Sequence, residues 1–170
     1  MSVFFPLGIH SFSSIIGTHQ SFKGKEPMPV TVKFGEKLSA LLVDDADETR
    51  GPLMALLENM DCWAFIVEAQ SEPQALLKVQ NQTFDLILLN LNQPKACEFE
   101  FIQDLKHIEK EKTNPTPILI LSEDFTGDDI ETLLEFNIKY VLTKPCSPEA
   151  ITEKVEEILV REKEEKIKSP

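Results

Sequence analysis

The sequence holds no run approaching the roughly 20 consecutive apolar residues that a membrane-spanning helix requires. This stretch of chain is therefore expected to be soluble. The chain also lacks any dense block of lysine and arginine, and its net charge is -12. Affinity for a phosphate backbone depends largely on clustered basic side chains, so the composition argues against direct binding of nucleic acid. Cysteine is scarce: Cys62, Cys97 and Cys146 are odd in number, far apart, and form no C-x-x-C pair that could begin a zinc or redox motif. Each reads as a small, largely buried hydrophobe, in a chain suited to a reducing cytoplasm. His10, His19 and His107 share no metal-ligand spacing with one another or with a cysteine, and no chemistry is assigned to them.

What is present is the material of one soluble domain. At 170 residues, with 42% hydrophobic and 27% charged side chains, the chain is long enough for a single substantial core and short for two. Residues 1–37 mix short apolar bursts, such as Val3-Phe4-Phe5 and Ile15-Ile16, with Gly, Ser, His and Pro, and keep neither a helical nor a strand period. They are expected to form a poorly ordered N-terminal extension outside the core. The first lysine is Lys23, so the basic region that opens a secretory signal is missing. Either translation starts at Met28, or the extension is an arm that is flexible or folds on a partner.

Beyond Lys37, short apolar runs alternate with amphipathic stretches, the pattern of βα units around a parallel sheet. Five strands are predicted: Ser39 to Val43, Trp63 to Val67, Leu86 to Leu89, Ile118 to Leu121 and Tyr140 to Leu142. Runs such as "ILIL" at residues 118–121 imply burial on both faces, as in parallel strands covered by helices. Leu53, Leu56, Leu57 and Met60 make one helical stripe, and Ile151, Val155, Ile158 and Leu159 another. Ser147-Pro148-Glu149 supplies a capping hydroxyl, a proline for the first helical position and a carboxylate for the positive dipole end. Gly51 and Pro52 predict that the first helix begins late, near Thr49 or Arg50, after a lengthened loop. Residues 38–160 form the predicted domain, and 161–170 a charged C-terminal tail.

In a doubly wound sheet, chemistry collects beyond the carboxyl ends of the strands. There stand Asp44 and Asp45 after the first strand, Asn90 after the third, Ser122 after the fourth, and Lys144-Pro145 after the fifth. The segments "LLVDD", "DLILLNLNQP", "PILILS" and "VLTKP", in this order and spacing, resemble the receiver domain of two-component response regulators over residues 38–160. The resemblance implies an α/β, flavodoxin-like, doubly wound five-stranded parallel sheet of order 2-1-3-4-5 with helices on both faces. It implies an acidic pocket of Asp44 and Asp45, phosphoryl contacts from Ser122 and Lys144, and a cis Lys144-Pro145 bond. Asn90 falls at the phosphoacceptor position, where the family has aspartate. The implied Mg²⁺ ligands are Asp45, Asn90 and the carbonyl of Asn92, a degenerate set expected to bind weakly.

An ionised carboxylate attacks phosphorus and forms an acyl phosphate, whereas an amide is neutral and its nitrogen lone pair is delocalised. Asn90 is expected instead to accept from the lysine ammonium and donate to a carboxylate, closing a polar network without a metal. Two further departures agree. Glu98 stands where the family turn has glycine, and Val141 stands at the usual aromatic switch position, with Tyr140 on the opposite face of the strand.

The resulting expectation is a non-enzymatic, cytoplasmic pseudo-receiver. It would bind a signalling protein or a second copy of itself through the fourth helix, fifth strand and last helix, with no cofactor, nucleic acid or membrane involved. Leu133, Leu134 and Phe136 near that face are expected in the core. Two alternatives stand beside this reading. One is an active phosphoacceptor using another carboxylate such as Asp45. The other is a small flavodoxin-like cofactor binder, against which stands the lack of a Gly-rich phosphate loop and of a nucleophile–base pair.

Overall fold

The computed structural model describes residues 37–91, 96–110, 112, 115–123 and 125–168, with the side chains of 96–98 left out. Expectations on residues 1–36, including Met28, His10 and His19, on Asn92 and on the Cys97 and Glu98 side chains lie outside the described residues. Elements alternate strictly: β1 (Leu38–Val43), α1 (Asp47–Glu58), β2 (Trp63–Ala69), α2 (Glu72–Asn81), β3 (Leu86–Asn90), α3 (Ala96–Lys110), β4 (Ile118–Ser122), α4 (Gly127–Glu135), β5 (Tyr140–Thr143) and α5 (Pro148–Lys168). The five strands are parallel in the order β2-β1-β3-β4-β5. The alternating runs predicted the parallel sheet, and its order is the doubly wound, flavodoxin-like one that the resemblance implied.

Period-2 alternation divides the apolar side chains between two cores. Leu42, Leu88, Leu119 and Tyr140 stand side by side in register and pack with Leu57 of α1 and Val155 and Ile158 of α5. Leu41, Ile87, Ile118 and Ile120 point to the other face, against α2, α3 and α4. Every residue of β3 and β4 is buried. Both runs extend one residue past their apolar stretch, so Asn90 and Ser122 are themselves the last residues of strands.

The first helix departs from expectation. It starts at Asp47, two to three residues earlier than predicted, and carries Pro52 inside it. Ala46 O accepts from Arg50 N at 2.9 Å, and the Asp44 carboxylate accepts from Ala46 N at 3.0 Å and from Thr49 Oγ1 at 2.6 Å. A buried carboxylate one residue past β1 thus gathers the donors of the first turn. That gain outweighs the single helical hydrogen bond lost at proline. The loop is short as a result.

At α5 the capping expectation holds: Ala150 N donates to Ser147 Oγ at 3.2 Å, and Pro148 is the first helical residue. The same helix continues through the charged residues 161–168. In α4, Leu133 is buried and Phe136 packs against the core, but Leu134 is 48% exposed. Successive helical residues diverge by about 100°, so a helix laid on the sheet through Leu133 turns Leu134 outward. The helix ends with Asn137 at φ 55, and Ile138 N returns to Leu133 O at 2.9 Å. Asparagine tolerates that left-handed step, which lets the chain re-enter the sheet at Tyr140. Residue 98 lies on helix α3 and not in a turn, so the backbone there has no glycine-requiring geometry.

Candidate functional site

The register of the central strands builds the site. Val43 stands opposite Leu89, so the next residues, Asp44 and Asn90, meet at the carboxyl edge of the sheet. Asp44 is 1% exposed and Asn90 5%. Asn90 Nδ2 donates to Asp44 Oδ2 at 2.8 Å and to Thr49 Oγ1 at 3.2 Å. The amide orientation follows from the network, since the reverse would set its oxygen against a carboxylate oxygen. With Ala46 N on Oδ1 and both Thr49 and Asn90 on Oδ2, the Asp44 carboxylate accepts from three donors.

A fixed cation backs this network. Arg50 is buried, and one guanidinium nitrogen donates to the Asp44 carbonyl at 3.0 Å while Nε donates to Glu68 Oε2 at 3.0 Å. The remaining nitrogen pairs with Asp47. Arg50 therefore clamps the start of α1 to the end of β1 and to β2. Neither Thr49 nor Arg50 stood out in the sequence. A hydroxyl five residues and a guanidinium six residues after a strand-end aspartate was the available signal, and placing the helix start at those residues concealed it.

On the other side, Lys144 Nζ donates to Leu91 O at 2.8 Å, and Lys144 N donates to Ser122 O at 2.8 Å. The Lys144-Pro145 bond is cis, as expected. The expected bond from lysine to the Asn90 amide oxygen is not formed. The ammonium, coming from the end of β5 across β4, reaches the backbone carbonyl one residue further on. Asn90 Oδ1 and Ser122 Oγ are buried polar atoms with no hydrogen-bond partner among the described residues.

Asp45 is exposed and lies close enough to Glu72 to influence it. Burial first, and then the negative charges of Asp45 and Glu100, push the Glu72 carboxyl above its ordinary value. Val141 is half-buried and packs on the α2–α4 core, whereas Tyr140 faces the α1–α5 core and donates to Glu162 Oε1 at 2.9 Å. The two side chains thus point to opposite faces, as the alternation required. Among the described residues no three Asp, Glu, His or Cys side chains form a group suited to a metal ion.

The model of the response regulator receiver domain matches residues 40–156. The chain is 34% identical over 102 residues to the gliding motility regulatory protein of Myxococcus xanthus, covering 59% of this chain and 13% of that one. It is 27% identical over 111 residues to protein-glutamate methylesterase/protein-glutamine glutaminase 1 of M. xanthus strain DK1622, covering 65% of this chain and 31% of the relative. It therefore spans less than a third of the length of these two curated relatives. Among solved structures, a CheY-like response regulator receiver domain protein from Methanospirillum hungatei JF-1 superposes with a TM-score of 0.65 at 20% identity, over 76% of this chain and 99% of that one. At that identity the likeness concerns the fold.

Proposed function

The chain belongs to the response regulator receiver domain family, and we propose that within two-component signalling it acts as a phosphorylation-independent protein-binding module. The observation that carries this reading is the bond from Asn90 Nδ2 to Asp44 Oδ2, at the strand end where the family places its phosphoacceptor. A carboxylate there would present an anionic nucleophile. The amide presents an N–H to its acidic neighbour, and its nitrogen has no free electron pair for phosphorus.

The residues also fit Mg²⁺ poorly. Replacing a carboxylate by an amide about 4 Å from a cation removes attraction on the order of 4 kcal/mol at an effective dielectric near 20, before rearrangement of the remaining ligands. The Asp44 oxygens already satisfy three donors, so they gain less from a cation than free carboxylate oxygens would. In this reading Thr49, Asn90 and Arg50 hold the pocket closed, Ser122 and Lys144 keep their places without a phosphoryl group to contact, and Val141 has no aromatic relay to perform. The domain itself is not an enzyme, and its effect is exerted by binding. The face of α4, β5 and α5, where Leu134 is exposed, is the surface assigned to a signalling protein or a second copy of the chain.

Incubation with acetyl phosphate and Mg²⁺ followed by intact mass measurement tests the chemistry. The natural protein is expected to remain unmodified; a labile phosphate adduct, on Asp45 or elsewhere, overturns the proposal. Affinity capture of the partner by the natural protein and by Asn90→Asp, with and without phosphodonor, tests the consequence. Binding by the natural protein without a donor is expected, and binding that requires the aspartate and the donor defeats it.

A further inference from the structure

At the opposite end of the sheet from Asp44 and Asn90, the amino ends of β4 and β5 meet the last turns of α3 and α5 around a cavity of about 290 Å³. Three lysines, Lys106, Lys139 and Lys166, and two glutamates, Glu162 and Glu165, line it. In a chain of net charge -12 this is a local excess of positive charge.

Glu162 accepts from the Tyr140 hydroxyl at 2.9 Å, and Glu165 faces Lys139 at 3.6 Å, a half-exposed pair that leaves the Lys139 ammonium further N–H donors. Glu109, the other acid near Lys106, gives both its oxygens to Lys112 Nζ at 2.7 Å and Thr116 N at 2.6 Å. Lys106 is half-buried and makes no hydrogen bond or ion pair among the described residues. Burial first, and to a lesser degree the neighbouring Lys139 charge, act against its ammonium form, and the Glu109 and Glu162 charges only partly offset them. A partly desolvated ammonium without a hydrogen-bonded acceptor in a concave site is unfavourable, and an oxyanion placed against it supplies that acceptor and eases the lysine–lysine repulsion. Pro115 and Pro117 add wall that offers no backbone N–H.

We infer that this cavity binds a small organic anion, its carboxylate or phosphate head between Lys106 and Lys139 and its apolar part against Pro115 and Pro117. The volume suits a ligand of about one ring and its charged head, at the lower end of ordinary small-molecule pockets. The site is separate from the strand-end pocket and does not depend on whether Asn90 can be phosphorylated.

Amide-resolved NMR titration of the full chain with phenyl phosphate, benzoate and inorganic phosphate tests the inference. Saturable shifts are expected at Ile118, Asn137, Ile138 and Lys139. Phenyl phosphate or benzoate should bind more tightly than inorganic phosphate, and the stronger of the two identifies the head group. Lys106→Met should weaken binding about tenfold or more, the loss of one charge-assisted hydrogen bond, with unchanged thermal stability. If that variant does not fold, Lys139→Met serves the same purpose. Lys144→Met should leave the titration unchanged. Shifts that do not saturate, that centre on Asn90 and Lys144, or that survive both cavity substitutions overturn the inference.

Discussion

Thr49 Oγ1 and Asn90 Nδ2 converge on the same oxygen of Asp44, at 2.6 and 2.8 Å, from a helix and a strand that are 41 residues apart in the chain. One buried carboxylate oxygen is thus the junction between α1 and β3. Removing the Thr49 hydroxyl while keeping its shape, as in Thr49→Val, leaves a charged acceptor with one donor fewer. The expected cost is about 1.5 kcal/mol, the usual worth of a hydrogen bond to a charged group. Urea denaturation should show a lower midpoint with an unchanged slope. Equal midpoints would show that Asn90 and the Ala46 N–H suffice to hold the carboxylate.

Asn90→Asp reverses the sense of the second bond, setting two carboxylates at hydrogen-bonding distance. Such a pair cannot readily ionise together, so one carboxyl holds its proton well above the ordinary range. The folded variant then binds a proton that the unfolded chain has released, and its stability falls as pH rises above the usual aspartate range. Relative to the natural protein, a loss of about 1–3 kcal/mol is expected at pH 7 in chelator, diminishing toward pH 4 and diminishing with millimolar Mg²⁺. Thermal unfolding at the two pH values checks the sign. A variant as stable as the natural protein at pH 7 without metal would contradict the closeness of the two side chains.

Glu109 is fully buried and bonded to Lys112 Nζ and to Thr116 N, while Lys112 also donates to Val79 O at 3.1 Å. The pair ties the end of α3 to the end of α2 and to the entrance of β4. Truncation by Glu109→Ala strands a partly buried ammonium and a backbone donor together, a defect that costs about 3 kcal/mol or more. Chemical denaturation measures it, and a loss under about 1 kcal/mol would mean that water satisfies both groups.

The Cys62 thiol is buried beneath Trp63 and the α1–α5 core, and burial first pushes its pKa up to about 11. The native protein should therefore react with iodoacetamide at Cys62 far more slowly at pH 8 than the urea-unfolded chain does, as read by peptide mass spectrometry. The unfolded chain loses this proton near the ordinary thiol value and the folded chain only about two units later. The contribution to stability is constant below the ordinary value and declines as pH rises through that window. Rapid native labelling at pH 8 would show that the site opens.

Much of this architecture was legible along the chain. The runs around Leu41, Leu88 and Ile120 declared strands buried on both faces, the stripes through Leu57 and Val155 declared their covering helices, and Ser147-Pro148 announced α5. Where the reading failed, a distant contact had overruled a local preference. Pro52 argued for a late helix, but the Asp44 carboxylate drew the first turn toward the sheet. Leu134 looked like core by hydrophobicity, and the orientation of α4 set by Leu133 left it outside.

Residue type and spacing by themselves determined the strand count, the polar strand ends and the neutral side chain at the end of β3, because periodicity and side-chain chemistry are properties of the chain alone. The tertiary structure decided which groups meet. The register that sets Val43 beside Leu89 brings Asp44 to Asn90, and the width of β4 carries the Lys144 ammonium past that amide to the Leu91 carbonyl. Hydrogen bonds reach about 3 Å, so partners separated by 46 and 53 residues are selected only after the sheet has assembled and its edges have been aligned.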